Sequence, residues 1–410
     1  MYSKIEGDRK GTEYYVHKNY LFKKNKIVKG VTYLKCREAS CQCTAQLDVI
    51  GFKTFLEHNH LAEEREVSIL KIKSLLKKRA ETETVGLREI FDQVTTASPF
   101  GHYVTFAEVE NAMYLRRRSA QPKIPENAVE ASVAIELSCQ LNKIDGLPFY
   151  RKTVHSNDTD LALLFMPEKM VDTLQNVKSG HVDGTFKVVP KQFTQLVTIF
   201  GDYKGHVLPL FHVLMTNKTQ PLYEKVFEGI KDMFPQFSPD AFMSDFETGL
   251  MNAIQKSFDC LSITGCLFHF DQSLYRRVGK LGLIKEYRIN EDFKKWIGLF
   301  VALSRLPATE ITVYIQKLEP VVYFQTAFFP NAFQDFYDYF VGFWMIKVTP
   351  AKFSVHGRVR KTNNDLESYH AQLIEKVNAA HPNFWDFHNT SAKLSQLLYR
   401  IDKESTLIKS

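Results

Sequence analysis

One acidic residue inside a strand-forming stretch constrains the fold of this chain more than any other feature. Asp183 lies in segment 179–190, whose valines predict a strand buried on both faces. Two further apolar runs, 193–200 and 207–215, predict the next two strands of a meander. An unpartnered carboxylate in a buried strand would cost several kcal/mol. We therefore expect Asp183 either to meet a cation or several hydrogen-bond donors, or to occupy an Asp-Gly turn at a strand end.

The composition is that of a soluble globular protein with room for two or three domains. Hydrophobic residues make up 44% and charged residues 24% of the 410 positions, and the aromatic fraction of 13% is high. No apolar run approaches the roughly 20 residues of a membrane span, and the first residues lack the apolar core of a secretory signal. We therefore expect an intracellular protein without a membrane segment.

The positive charge of the chain is concentrated near the N-terminus, beside a cluster of cysteines and histidines. Residues 1–80 contain 17 Lys and Arg against 9 Asp and Glu, which indicates a polyanionic partner. Strand-like runs precede a set of candidate zinc ligands, Cys36, Cys43, His58 and His60, with Cys41 as an alternative to Cys43. Two cysteines and two histidines can close a tetrahedral zinc site that helps a small β module to fold. The competing interpretation is a set of unrelated thiols beside a solvated histidine pair.

The residues around these ligands resemble the FLYWCH-type zinc finger, which is related to WRKY-like modules. Segments 32–36 and 43–46 match the pattern of an aromatic residue, Cys, a variable gap and a second Cys, followed later by His-x-His. Leu34 stands where that family usually has Trp, and Gln46 where it usually has Arg. The resemblance implies a zinc-binding β module over residues 1–62.

Segment 63–125 has the periodicity of helices and would connect this module to the rest of the chain. Thr105 and Glu108 predict a capping box at the start of one helix. An earlier Lys-rich helix resembles a nuclear-import signal. Three arginines at 116–118 leave two interpretations open: an accessory DNA-binding unit in the style of a helix-turn-helix, or a connector with solvated charges.

Two further acids lie where a phosphoryl-transfer site would need them. Asp245 follows the short apolar strand 241–244 and precedes a helix, the place where ligands gather in open α/β sheets. Glu367 lies in the first turns of a later helix. Hard cations prefer oxygen ligands, and three converging acids would repel one another without them. Together with Asp183, these residues predict a site for two Mg²⁺ or Mn²⁺ ions.

The blocks around the three acids resemble the successive motifs of Mutator-like (MULE) DDE transposases. In chain order, these blocks are 183–186, 244–247, 265–269 and 362–370. The resemblance implies an α/β RNase H-like catalytic core over residues 145–400, with a helical insertion at about 277–360. It also implies that Asp183, Asp245 and Glu367 form the metal-binding catalytic triad.

Other residues acquire candidate roles from the same resemblance. The Cys-x-x-His motif of the family maps onto Cys266 and His269, so His269 would face the active site or DNA. The alternatives are a buried strand end for Cys266 and a hydrogen-bonded helix-start residue for His269.

Near the end of the insertion, four basic residues are candidate phosphate contacts: Lys352, Arg358, Arg360 and Lys361. The aromatic side chains of the insertion would mostly pack in a core, and the alternative is stacking on unpaired bases.

The favoured function at this stage is that of a nuclear DNA transposase. It would bind double-stranded transposon ends through its zinc finger, then cleave and join DNA strands with Mg²⁺ or Mn²⁺. Because two ends must be joined, the family analogy implies a homo-oligomeric synaptic complex. Two other functions stay open: a domesticated, non-catalytic DNA-binding transcriptional regulator with the same fold, and a nuclease that cleaves without joining.

Overall fold

The computed structural model describes residues 2–7, 11–83, 85–138, 143–144, 146–325, 330–377 and 380–409. The chain divides into two compact units, Met1–Lys123 and Ile124–Ser410. No helix within the described ranges is long and apolar enough to cross a membrane.

The first unit contains a six-stranded antiparallel sheet in which each strand pairs with the next along the chain. The strands are β1 (Tyr2–Glu6), β2 (Glu13–His17), β3 (Tyr20–Val28), β4 (Val31–Cys36), β5 (Thr44–Leu47) and β6 (Phe52–Phe55). One face buries Phe22, Leu34 and Ala45 together with Cys36 and Cys43. This small core brings the cysteines and the last strand together, which sets the position of the candidate zinc ligands.

Three helices complete this unit: α1 (Glu64–Thr82), α2 (Leu87–Thr96) and α3 (Phe106–Ala120). The predicted capping box is present, since the backbone N–H of Thr105 donates to Oε2 of Glu108 at 3.0 Å. The periodicity of residues 84–94 also predicts a helix; α2 begins at Leu87, and residue 84 lies outside the described residues. The helices bury Leu76, Ile90 and Met113 against one another, so they form a core of their own.

The second unit is built on a seven-stranded mixed sheet, with a separate two-stranded hairpin of β7 (Lys143–Ile144) and β8 (Leu147–Pro148). The strands of the large sheet are β9 (Tyr150–His155), β10 (Leu161–Phe165), β11 (Ser179–Thr185), β12 (Gln195–Tyr203), β13 (His206–Met215), β14 (Ala241–Ser244) and β15 (Ser262–Gly265). Their spatial order is β15-β14-β11-β12-β13-β10-β9. The meander β11-β12-β13 is antiparallel, as the sequence predicted, while β14 and β15 run parallel to β11.

Two details of the sequence interpretation differ from the structure. Val188 and Val189 lie beyond the end of β11, where they are buried against Leu196 and Phe384 rather than paired in a strand. Their apolar character therefore reflects core packing of a turn. Residues 150–165 also predict edge strands, but only β9 is an edge strand; β10 lies inside the sheet and is completely buried.

Helices cover both faces of the large sheet. On one face, α5 (Gln220–Met233) and α6 (Thr248–Ser257) pack against inward-pointing residues such as Val182 and Val197. On the other face, α4 (Ala128–Leu137), α14 (Asn364–Val377) and α15 (Phe384–Lys409) pack against Leu196 and Phe200. Because neighbouring residues of a strand point to opposite faces, Asp183 points toward the α14 side when Val182 points toward α5 and α6.

A helical segment connects β15 to α14 and has its own core. It consists of α7 (Leu267–Lys280), α8 (Ile284–Ile289), α9 (Glu291–Leu303), α10 (Ala308–Ile315), α11 (Pro320–Tyr323), α12 (Asn331–Tyr339), a π-helical stretch at Phe340–Val348 and α13 (Pro350–Phe353). Trp296, Phe300, Phe336 and Trp344 are buried in it, and the indole of Trp296 donates to the carbonyl of Leu318 at 2.8 Å. These aromatic residues form a core; Phe328 and Phe329 lie outside the described residues.

Candidate functional sites

Asp183 and Asp245 lie side by side at the carboxyl ends of two adjacent parallel strands. The register pairs Val182 of β11 with Ser244 of β14, so the next residue along each chain is one of the two acids. Adjacent strands are about 4.8 Å apart. The ring of Phe246 covers Gly265 so closely that a Cβ atom there would lie 2.1 Å from it, which fixes the chain just after Asp245. The sheet thus brings two acids that are far apart in sequence into one short row.

The carboxylate of Asp183 is buried and has a histidine partner. Asp183 is only 7% exposed. Its Oδ2 atom lies 3.0 Å from Nδ1 of His370 on α14. The other ring nitrogen of His370, Nε2, lies 3.1 Å from the hydroxyl of Thr198. Thr198 is the residue that pairs with Asp183 in the β11–β12 ladder. The Asp-Gly turn considered above is wrong, because Asp183 and Gly184 are both paired within this ladder.

The sequence predicted only that His370 would pack on a sheet together with Leu366 and Leu373, and it gave the histidine no functional role. The residue lies three positions after Glu367 on a helix whose inward face also carries Leu366, Tyr369 and Leu373. A polar ring on an otherwise apolar face is the signal that could have identified it. Its position explains how a buried carboxylate is tolerated in the sheet.

Asp245 is also paired with a histidine. Nδ1 of His269, near the start of α7, lies 2.6 Å from Oδ1 of Asp245. The contact with Asp245, followed by that with the Cys266 thiol, raises the pKa of His269 to about 10. Cys266 itself is buried, and its Sγ atom accepts a hydrogen bond from the backbone N–H of Asn363 at 3.3 Å. His269 therefore lies against the second acid, while Cys266 anchors the start of α14.

Glu367 lies on α14 between two contacts that hold this helix against its neighbours. The start of α14 is held at the end of β15, where Leu267 N–H donates to the carbonyl of Lys361 at 2.9 Å and Asn363 contacts Cys266. Further along the helix, His370 reaches Asp183 on β11. Glu367 is exposed and lies between these two anchor points, with its Cβ roughly 5–6 Å from that of His370, as expected for positions i and i+3.

The three acids do not form a closed ligand set within the described part of the chain. Among the residues that the structure describes, only one group of three or more His, Cys, Asp or Glu side chains has ligand atoms within 4.8 Å of one another. That group lies in the first unit. Glu367 is therefore not drawn into a tight cluster with Asp183 and Asp245, whose nearest partners are the two histidines.

The group in the first unit consists of Cys36, Cys41, His58 and His60. Cys36 Sγ lies 3.2 Å from His60 Nε2 and 3.6 Å from His58 Nδ1, and Cys41 Sγ lies 3.5 Å from His58 Nδ1. Ligands bound tetrahedrally at about 2.0–2.3 Å are separated by roughly 3.5 Å, so this donor set fits one zinc ion. Nδ1 of His60 is 3.0 Å from the carbonyl of Leu61, an arrangement that orients Nε2 toward the cluster.

Of the two cysteines left open by the sequence, Cys41 is the one that the structure brings into the cluster. Cys43 is buried in the sheet core, and its thiol donates to the carbonyl of Leu56 at 3.3 Å. The Tyr20 ring stacks on His58 with centroids 3.6 Å apart, which holds that ligand in place. Burial raises the pKa of the Cys36 thiol to about 11, so a bound cation would have to stabilise its thiolate form.

One of the basic residues proposed as DNA contacts, Arg360, has partners within the protein. The guanidinium of Arg360 pairs with Asp202 at 3.0 Å and with Asp365, and it donates to the carbonyl of Gly205 at 2.7 Å. Arg358 and Lys352 are half-buried, and Lys361 is exposed. Arg360 thus fastens the loop before α14 to the β12–β13 turn, a structural role that the sequence did not predict.

The arginines at the end of α3 also bind within the protein. Arg117 donates to the carbonyls of Ala80, Glu83 and Val85, and Arg116 pairs with Glu81 at 2.8 Å. These contacts satisfy carbonyls at and just after the end of α1. They favour the interpretation of this segment as a helical connector over that of an accessory DNA-binding unit.

Comparison with protein-family models found a match to part of the second unit. Residues 179–273 match the MULE transposase domain, and this range contains Asp183, Asp245, Cys266 and His269. Comparison with curated proteins found no match. The match suggests a function related to transposition.

Proposed function

We propose, from the match of residues 179–273 to the MULE transposase domain, that this chain is a metal-dependent DNA transposase with an RNase H-like core. The observation that carries the proposal is the row formed by Asp183 and Asp245 at the ends of β11 and β14, with α14 crossing above it. The antiparallel meander followed by two strands parallel to β11 supports the RNase H-like core.

The residues in this row provide a donor set that suits Mg²⁺ or Mn²⁺. Oδ1 of Asp183 and Oδ2 of Asp245 are the carboxylate oxygens not used in the histidine contacts, and Glu367 adds an exposed carboxylate on α14. Carboxylate oxygens are the preferred ligands of these hard cations. When bound, the ions would stabilise the charge on the attacking and leaving oxygens of an in-line phosphoryl transfer.

The protein itself would hold this donor set in a fixed orientation. His370 positions the Asp183 carboxylate and is itself held by the Thr198 hydroxyl. His269 holds Asp245 from the start of α7. With Cys266 anchoring the start of α14, Glu367 is kept on the helix that crosses both strands. Such outer partners restrict the rotation of carboxylate ligands and thereby favour metal binding.

The first unit would supply DNA recognition. The ligand set of Cys36, Cys41, His58 and His60 would stabilise the six-stranded sheet when zinc binds. Basic side chains on this sheet would then neutralise backbone phosphates of the transposon ends. The protein would act in the nucleus as a homo-oligomer that holds two transposon ends together.

A strand-transfer assay tests the proposed activity. Full-length protein is incubated with Mg²⁺ or Mn²⁺ and a DNA fragment that carries the terminal repeats flanking the gene, together with a target plasmid. We expect joined products from the parent and none from Asp183→Asn. Asp240→Asn, which removes an exposed acid just before β14, is the matched control and should remain active.

The assay also separates the other functions. Equal activity of the parent and Asp183→Asn would refute the assignment of Asp183. Cleavage without joining would identify a nuclease, and DNA binding with neither reaction would identify a non-catalytic regulator. The acids and their histidine partners favour the catalytic function, because a regulator has no need for them.

A further inference from the structure

A cavity of about 540 Å³ lies beside the row of acids, on the same face of the large sheet. Its floor includes His181 of β11, Met243 of β14 and Thr264 of β15, which are paired in register across the three strands. This row of residues lies two positions before Asp183 and Asp245, a distance of roughly 7 Å along the strands. Whatever occupies the cavity would therefore lie next to a phosphodiester held at the acids.

The floor contains buried polar atoms without partners. His181 and Thr264 are each 2% exposed, and both ring nitrogens of His181 and the Thr264 hydroxyl have no hydrogen-bond partner within the described part of the chain. Leaving such groups unpaired is unfavourable by about 1–3 kcal/mol each. The side chain of Met243 supplies an apolar surface beside them. Hydrogen-bonding groups at the edges of an apolar floor suit a planar heterocycle.

The rim of the cavity is strongly basic. Lys178, Lys204, Arg358 and Arg360 line it, and its one acid, Asp202, is already paired with Arg360. Arg358 is half-buried, and its side chain makes no ion pair with any residue that the structure describes. A half-buried guanidinium of this kind provides a binding site for a phosphate group.

We infer that this cavity binds one nucleotide of the DNA strand, extruded beside the cleaved phosphodiester, with its base on the floor and its phosphate at the rim. The identity of the strand as DNA rests on the proposed function; the nucleotide chemistry rests on the cavity itself. The volume lies within the range of small-molecule sites, and enzymes that do chemistry on a DNA base extrude the nucleotide into a pocket that hydrogen-bonds the base edge. His181 and Thr264 hydrogen-bond the edge of the base, and Arg358 contacts the phosphate.

Binding of mononucleotides to the full-length protein tests this inference without requiring catalysis. Titration calorimetry is carried out on the zinc-containing protein without added Mg²⁺ or Mn²⁺, using the four deoxynucleoside 5′-monophosphates, one matching deoxynucleoside and inorganic phosphate. We expect at least one nucleotide to bind more tightly than either the nucleoside or phosphate. Thr264→Val keeps the side-chain volume and should weaken that nucleotide roughly threefold to tenfold, because one hydrogen bond is lost.

A second variant and a control keep the test decisive if Thr264→Val disturbs folding. Arg358→Gln should weaken nucleotide binding roughly tenfold or more, since a charge-assisted contact is lost. Arg276→Gln, at an exposed position on α7, should leave it unchanged. The inference is overturned if no nucleotide binds, or if phosphate binds as tightly as the nucleotides and Thr264→Val has no effect. Strand transfer without nucleotide binding would refute only the cavity, whereas nucleotide binding without strand transfer would refute only the transposase proposal.

Discussion

Nδ1 of His370 lies 3.0 Å from Oδ2 of Asp183, and this contact joins helix α14 to strand β11 of the large sheet. The two residues are far apart in sequence, but the Thr198 hydroxyl on the neighbouring strand holds the opposite side of the same ring. The orientation of the buried carboxylate is therefore set by residues from three different elements. This relationship yields the first prediction.

Replacing His370 with Phe should weaken metal binding about tenfold to a hundredfold, because the Asp183 carboxylate loses the partner that orients it. Binding of Mn²⁺ to the full-length protein, followed by electron paramagnetic resonance, measures this without DNA. His370→Asn can still donate toward Asp183 and should recover part of the affinity. Undiminished Mn²⁺ affinity in the Phe variant would show that His370 does not position the ligand.

Glu367→Gln should abolish metal-dependent cleavage and joining while leaving the fold intact. The side chain is exposed, so its replacement should change the free energy of unfolding by less than about 0.5 kcal/mol. Loss of a metal ligand removes several kcal/mol of transition-state stabilisation, which is roughly a thousandfold in rate. Strand transfer is the measurement, with Glu375→Gln, an exposed position on the same helix, as the matched control. Retained activity in the Gln variant would remove Glu367 from the site.

Zinc content should depend on Cys41 and not on Cys43. Cys41 is in the four-ligand cluster, whereas the Cys43 thiol donates to a backbone carbonyl, a contact that a serine hydroxyl can reproduce. Full-length Cys41→Ser should therefore lose most of its zinc, and Cys43→Ser should retain about one equivalent per chain. Elemental analysis of both purified variants measures the difference. The reverse result would return the ligand assignment to Cys43.

The sequence allowed the meander, the strand before Asp245 and the capping box at Thr105 to be predicted, because each depends on residues close together in the chain. The pairing of Asp183 with His370 could not be predicted from local pattern, since it depends on how α14 crosses the sheet. Similarly, spacing alone could not separate Cys41 from Cys43. Their different surroundings arise from the turn after β4, which leaves one thiol beside the histidines and the other in the core.

The last prediction concerns acid stability and rests on His212, which is completely buried in β13. Its Nε2 atom lies 2.5 Å from the hydroxyl of Tyr369 and 3.3 Å from that of Ser395. Burial, together with the nearby His370, lowers the pKa of His212 to about 3. The ring is thus neutral in the folded protein, whereas the unfolded chain binds a proton near its ordinary pKa of about 6.5.

Between these two values the unfolded state holds more protons, so stability falls as the pH falls through this window. The titration of His212 alone should lower the free energy of unfolding by about 2 kcal/mol between pH 7 and pH 5. In His212→Gln, the side-chain carbonyl can still accept from Tyr369, and this part of the pH dependence should disappear. Urea unfolding followed by tryptophan fluorescence is suitable, because all three tryptophans, Trp296, Trp344 and Trp385, lie in the second unit. His155→Gln, at an exposed position on β9, should keep the parent's pH dependence, and an unchanged slope in His212→Gln would contradict the assignment.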